Sequence, residues 1–346
     1  MRPLDALRGI AAMSVVFFHF TLQQESYNHI FRFGATGVDL FFIISGFVIF
    51  MSLQKADSLG TFFINRFSRL YPTYWMGVLF SFAIISIHFH FSQKYPIDGP
   101  WVSLAGNLTM FQYYLGIPDL EGPYWTMNIE MLFYILMGII LTMKSQRIIV
   151  PLGIAICSVL VIAAFNVDQN FSVKEVFMKI PLLYHFPLFF AGIVFFKKFE
   201  GSLSTRYFLF ALTLAFVAQM ALFPHTWRAC KHITQGEYVF VLALFFGAFL
   251  LFLEGKLEWI SNPITLFLGK ISFPLYLTHQ YLSINLIIPY FMWKHELSLW
   301  QAALFIALPA SVAIATLIHY TAEIHLSKWI KTRLLSLRST WPSPAA

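Results

Sequence analysis

Charge is what this sequence has least of: only 11% of its 346 residues are Asp, Glu, Lys or Arg, against about 25% in an ordinary soluble domain. With 58% hydrophobic residues and a mean hydropathy of +0.70, that shortfall excludes a soluble globule and points to an integral membrane protein. Cysteine is almost missing. Cys157 and Cys230 are too few for a disulfide framework, and Cys157 sits in an apolar run, so neither carries a redox reading. No HxxxH, HExxH or paired CxxC occurs on any apolar run, which leaves no ligand pattern for a metal. A GxSxG elbow and a glycine-rich P-loop are absent too, so hydrolase and nucleotide-triphosphatase readings lack support. There is no long basic run to suggest nucleic acid and no fixed-period repeat to suggest a solenoid. The first apolar run has no small-residue cleavage site behind it, so it is expected to be retained.

What is present is aromatic and apolar. Aromatics reach 18%, forty of them phenylalanine, which suits lipid-facing and interhelical surface better than a cofactor box. Runs of membrane-spanning length fall near 7–22, 37–53, 73–91, 123–143, 148–165, 180–197, 207–223, 237–253, 271–291 and 300–320. The expectation is an all-α polytopic membrane protein of about ten transmembrane helices. With both termini cytoplasmic, sixteen of the twenty-three Lys and Arg fall on the inner side, as the positive-inside rule requires. Residues 1–335 read as one membrane domain and 336–346 as a short disordered tail. The connection 92–122 holds an apolar piece too short to span, WVSLAGNLTMFQYYL, expected to be interfacial or re-entrant on the outer face.

Polar groups inside the apolar runs mark the candidate chemistry. Arg8 and His19 are eleven residues apart on the first run, so on a helix they share one face about 16 Å apart along the axis. An ionisable ring in lipid is a functional hypothesis by default; the plainer reading is a packed histidine bonded to a neighbouring helix. In NRFSRLYPTYW, Arg66 and Arg69 are spaced to share a helix face and could grip phosphates through forked hydrogen bonds, or could be simple anchors. By the assumed topology Asp39, Glu130, His19 and His279 all lie between mid-membrane and the outer face. A carboxylate beside a histidine fixes its tautomer and raises its basicity, as a general base for a hydroxyl needs. Which carboxylate meets which histidine is open at this level. A proton-coupled transporter or flippase of a polar glycan precursor would use the same groups as a relay, but the two halves show no matching Gly or Pro interruptions.

These stretches resemble, in order, the integral-membrane acyltransferase-3 family, whose members O-acylate extracytoplasmic glycans such as O-antigen and exopolysaccharide. The likeness runs from LDALRGIAAMSVVFFHF, with its Arg-x10-His spacing, through GVDLFFIISGF, NRFSRLYPTYW and YWTMNIEMLFY to GKISFPLYLTHQ. The resemblance implies a multi-pass enzyme of a bacterial inner membrane that moves an acyl group, most simply acetyl, from cytoplasmic acyl-CoA to a glycan hydroxyl. It implies acetyl-CoA or another acyl-CoA as a donor substrate with no permanently bound cofactor, and as partners the acyl donor, a carbohydrate acceptor and membrane lipid, with acceptor handling by the membrane domain, the outer loops or a partner protein and no nucleic acid. Arg8, Arg66 and Arg69 become the donor-binding candidates. His19 becomes the catalytic candidate, as base or as transient acyl acceptor, with Asp39 and Glu130 in support and His279 and Trp125 as substrate contacts. Two departures stand out. Glu323 is followed by Ile324 and His325 where the family often has a nearby proline, so no role is carried onto it. The appended esterase-like domain of many members is not expected here.

Overall fold

The computed structural model describes residues 1–23, 31–92, 99–143, 146–226 and 229–339; Lys94, Lys144, Arg228 and the tail from 340 onward lie outside these residues. Among the described residues every regular element is helical. In lipid this is the economical answer, because a helix satisfies its own backbone N–H and C=O groups. The helices are α1 (Arg2–Thr21), α2 (Gly37–Gln54), α3 (Leu59–Ser92), α4 (Pro100–Leu108), α5 (Trp125–Thr142), α6 (Ile149–Ala164), α7 (Phe171–Lys179) and α8 (Phe186–Phe199). They continue as α9 (Thr205–Leu222), α10 (Gln235–Leu253), α11 (Pro263–Thr278), α12 (Ile288–His295), α13 (Leu299–Ala302), α14 (Leu308–Ile318) and α15 (Ser327–Ser339). Widened π-type turns at Leu282–Ile287, Ala303–Ala307 and His319–Leu326 join the last of these.

Seven helical stretches among the described residues are long and apolar enough to cross a membrane, so the chain is a multi-pass membrane protein. Three of the ten expected spans are shorter than a bilayer needs, for local reasons. α6 has 16 residues. α8 has 14, because Pro187 fits only the first turn of a helix and so fixes the start at Phe186. The run expected at 271–291 is interrupted where α11 ends at Thr278 and a π turn follows. α3, by contrast, reaches 34 residues and carries Pro72 in its interior. α15 runs to Ser339, into the stretch expected as tail.

The chain forms two compact units: Met1–Lys55 with Ile129–Gly269, and Ala56–Asn128 with Lys270–Ala346. In the first unit, glycines set the helix spacing. A Cβ on Gly46 of α2 would stand 2.0 Å from the Phe189 carbonyl oxygen, and one on Gly192 of α8 would stand 2.1 Å from that of Ile43. The two backbones therefore touch through reciprocal glycines, the close approach that replaces hydrophobic drive in lipid. α1 is gripped in the same way. A Cβ on Gly34 would meet the Ser14 carbonyl at 2.1 Å, one on Gly37 would meet that of Ala11 at 2.9 Å, and one on Gly269 would meet that of Asp5 at 2.0 Å.

In the second unit, α4 and the turns after it double back along α3. The Tyr71 hydroxyl and the Trp75 indole N–H donate to the Thr109 and Leu108 carbonyls, both at 3.0 Å, satisfying acceptors that the end of α4 leaves open. Asn107 pins the hairpin: its amide N–H group donates to the Ser103 and Pro118 carbonyls while its oxygen accepts from the Leu120 N–H. Tyr71 lies 21 residues before Ser92, so the tip reaches about 30 Å down α3 from that end. Gln112, Asn107 and Glu121 of this segment are buried against protein, while Tyr113, Tyr114 and Leu115 at its tip are exposed.

Candidate active site

α1 carries Arg8 and His19 on one continuous helix, with His19 in its last turn and half-buried. The glycine contacts at Gly34 and Gly37 close on Ser14 and Ala11, so the turns leading to His19 are held by backbone rather than by long side chains. Its neighbour Phe18 packs edge-on against His232 at 4.8 Å. His232 is in a loop outside the spans, where burial first and the Lys231 charge second hold its imidazole below the ordinary histidine range.

Asp39 opens α2 and is buried. Its Oδ2 accepts from the Tyr238 hydroxyl of α10 at 2.8 Å, and its Oδ1 lies 3.9 Å from Nδ1 of His185, just before α8. The histidine beside this carboxylate is thus His185, a residue the sequence did not single out. Glu130 accepts from the Tyr134 hydroxyl at 2.6 Å, one turn on along α5. Nearby, Arg32 and Glu237 form an ion pair, and Glu237 also completes a capping box with Thr234 that starts α10.

The second unit holds the other candidates. Arg66 and Arg69 sit one turn apart on α3, Arg66 buried to 8% exposure and Arg69 half-buried. Trp125 begins α5 and is half-buried, while Thr126 hydrogen-bonds the Tyr276 hydroxyl of α11 at 3.0 Å. His279 is fully buried at the end of α11, its Nδ1 within 2.9 Å of the Leu275 carbonyl. At the π turn His319–Leu326, His319 Nδ1 lies 2.7 Å from Glu323 Oε2.

Beside His279 the structure adds Glu121, hidden in the sequence by a Gly- and Pro-rich stretch that reads as a plain connector. Its carboxyl accepts from the Ser81 hydroxyl at 3.0 Å and the Tyr281 N–H at 2.8 Å, tying the hairpin to both α3 and the turn after α11. Burial pushes this carboxyl from 4.5 up to about 8, against the pull of those two donors. A folded-state value above the unfolded one favours folding fully below about pH 4.5, and that contribution is lost as pH rises through about 8. Thermal stability in detergent is therefore expected to fall between about pH 4.5 and pH 8 and to level off above, and Glu121→Gln to flatten that slope. An unchanged slope in the variant would remove Glu121 as its source.

The sequence candidates thus fall into two groups. His19, Arg8, Asp39 and Glu130 belong to the first unit, and Arg66, Arg69, Trp125 and His279 to the second. Among the described residues no group of three metal-binding side chains occurs.

A family model described as an acyltransferase domain matches residues 2–320. The chain is 26% identical over 283 residues to a protein of Acidianus two-tailed virus named, by assignment, an acetyltransferase, covering 79% of this chain and 80% of that one. It is 29% identical over 208 residues to an O-acetyl transferase of Shigella phage Sf6, covering 56% of this chain and 59% of the relative. It is 30% identical over 145 residues to the acyltransferase MdmB of Streptomyces mycarofaciens, covering 38% of this chain and 37% of the relative. It thus spans less than two thirds of the length of the last two. No solved structure matches it.

Proposed function

The chain belongs to the acyltransferase-3 family, and from that premise we propose that it transfers an acetyl group from acyl-CoA on the cytoplasmic side of a bacterial inner membrane to a hydroxyl of an extracytoplasmic glycan. The observation that carries the reading is α1 itself: one helix with a guanidinium near its start and an imidazole in its last turn. About 16 Å of rise between them suits a donor whose phosphates stay at one side while its thioester is presented towards the other. Arg8, Arg66 and Arg69 grip the CoA phosphates. No group needs to be resident; acyl-CoA is a substrate.

At the outer end, the acceptor hydroxyl gives its proton to the His19 imidazole as its oxygen bonds to the thioester carbonyl carbon. The tetrahedral adduct collapses with loss of the carbon–sulfur bond, and the imidazolium returns the proton to the departing thiolate. Asp39 and Glu130 hold the polar surroundings through His185, Tyr238 and Tyr134, and Trp125 and His279 contact substrate.

The test is donor binding and slow thioester cleavage with labelled acetyl-CoA and purified protein in detergent. Wild type is expected to bind and cleave, and Arg69→Ala to lose about 10-fold or more in affinity, as expected for one charge-assisted contact. Failure of wild type to bind any acyl-CoA would overturn the donor.

A further inference from the structure

Within the second unit, α3 carries a buried polar stripe of which only Arg66 and Ser81 have been given a part above. Arg66, Thr73, Tyr74, Gly77 and Ser81 are all buried and, at spacings of 7, 8, 11 and 15 residues from Arg66, fall within a sector of about 100° on one helix face. Facing it are Gln112 of the hairpin, whose amide N–H donates to Asp119 at 2.8 Å, and Asn128 of α5, one turn past Tyr124. The Tyr74 and Tyr124 rings pack at 5.1 Å.

Four oxygens in this cluster have no hydrogen-bond partner: Thr73 Oγ1, Tyr74 Oη, Gln112 Oε1 and Asn128 Oδ1. Their residues are 0%, 0%, 0% and 2% exposed. The Tyr74 hydroxyl faces Gln112 and Asp119, and Asn128 faces the Tyr114 hydroxyl, in each case without a well-formed bond. Buried polar atoms are nearly always satisfied, so four unmet oxygens in one cluster indicate a ligand that brings its own donors. Two of the four are amide oxygens, which can only accept. Tyr74 is five residues past Arg69, about 7.5 Å further along α3.

We propose that Thr73, Tyr74, Gln112 and Asn128 bind the pantetheine arm of the acyl donor, whose two amide N–H groups and hydroxyl pair with the open oxygens as it leaves the arginine-held phosphates. The inference rests on the acyl-CoA reading and narrows it: the hairpin becomes a wall of the donor site, and acceptance of a thioester depends on an amide-bearing arm. Tyr74 is the member that can also donate, to an arm carbonyl.

The test compares two probes on purified protein: CoA, and adenosine 3′,5′-bisphosphate, which keeps phosphates and base but has no arm. Tyr74→Phe, Gln112→Met and Asn128→Leu each remove the polar atom at near-constant shape. Each is expected to weaken CoA about 3–10-fold, and the triple variant about 100-fold, with bisphosphate binding unchanged. Arg69→Ala weakens both probes. Because the oxygens removed are already unpaired, the ligand-free variants are expected to melt at or above the wild-type temperature, which separates lost binding from lost folding. Unchanged CoA affinity in the triple variant overturns the proposal while leaving the donor reading intact, as does a variant effect on glycan KM alone. If wild type binds neither probe, the donor reading itself fails.

Discussion

Replacing His19 with alanine is expected to lower acyl transfer by about 10²–10⁴-fold, the usual worth of a positioned general base, while the variant inserts, accumulates and binds acyl-CoA as wild type does. The separation follows from where the residue sits. His19 is in the last turn of α1, eleven residues beyond Arg8, so its loss is expected to leave the proposed phosphate contacts untouched. The backbone contacts that hold α1, at Ser14, Ala11 and Asp5, involve no imidazole atom, so the helix keeps its seat. The measurement is product formation from labelled acyl-CoA and a glycan acceptor, with donor affinity read in parallel. A fall in turnover with constant affinity identifies a group needed in the transition state. Product above about a tenth of wild type would take His19 out of the chemistry, since so small a loss is below the range of a general base.

The largest structural effect is expected from Gly46→Ala. The added methyl would stand 2.0 Å from the Phe189 carbonyl oxygen, and the reciprocal position Gly192 is equally tight against Ile43. No rotamer relieves the clash, because both partners are backbone. α2 and α8 have to part, which opens the surrounding aromatic core, where Phe42 packs on Phe189 at 4.9 Å and Phe47 on Phe196 at 5.2 Å. Overpacking costs about 1–3 kcal/mol where side chains can give and more where, as here, they cannot, a large part of a typical total of about 5–15 kcal/mol. The expected result is little or no monodisperse protein on size exclusion. Gly247→Ala is the control: nothing lies within 4 Å of its Cβ position, and the same change in a helix interior stabilises by about 0.5–1 kcal/mol. Equal melting temperatures for Gly46→Ala and wild type would mean that α2 and α8 do not pack as described.

Hydropathy revealed the helical, multi-pass character because a long apolar run in lipid has few alternatives. It overstated individual spans where proline acts locally, as at Pro187, and where a continuous apolar run conceals a break, as at His279. The spacing of Arg8 to His19 and of Arg66 to Arg69 could be read directly, since helix periodicity alone fixes the face. Long-range partners could not. Tyr238 reaches Asp39 from 199 positions away, and nothing local to either residue announces it. Glu121 and Gln112 were overlooked for another reason: they lie in a segment too short to span and rich in turn formers, whose polar content resembles that of any surface connection until α3 is seen to bury it.

The grip on α1 also sets an order of events during synthesis. Gly269 closes on Asp5, so part of the seat of α1 is supplied by a helix made long after it. At about 5–20 residues per second, the 264 residues between them take about 13–50 s to make. Through that interval α1 rests on Gly34 and Gly37, which close on Ser14 and Ala11, while its Asp5 end waits for Gly269.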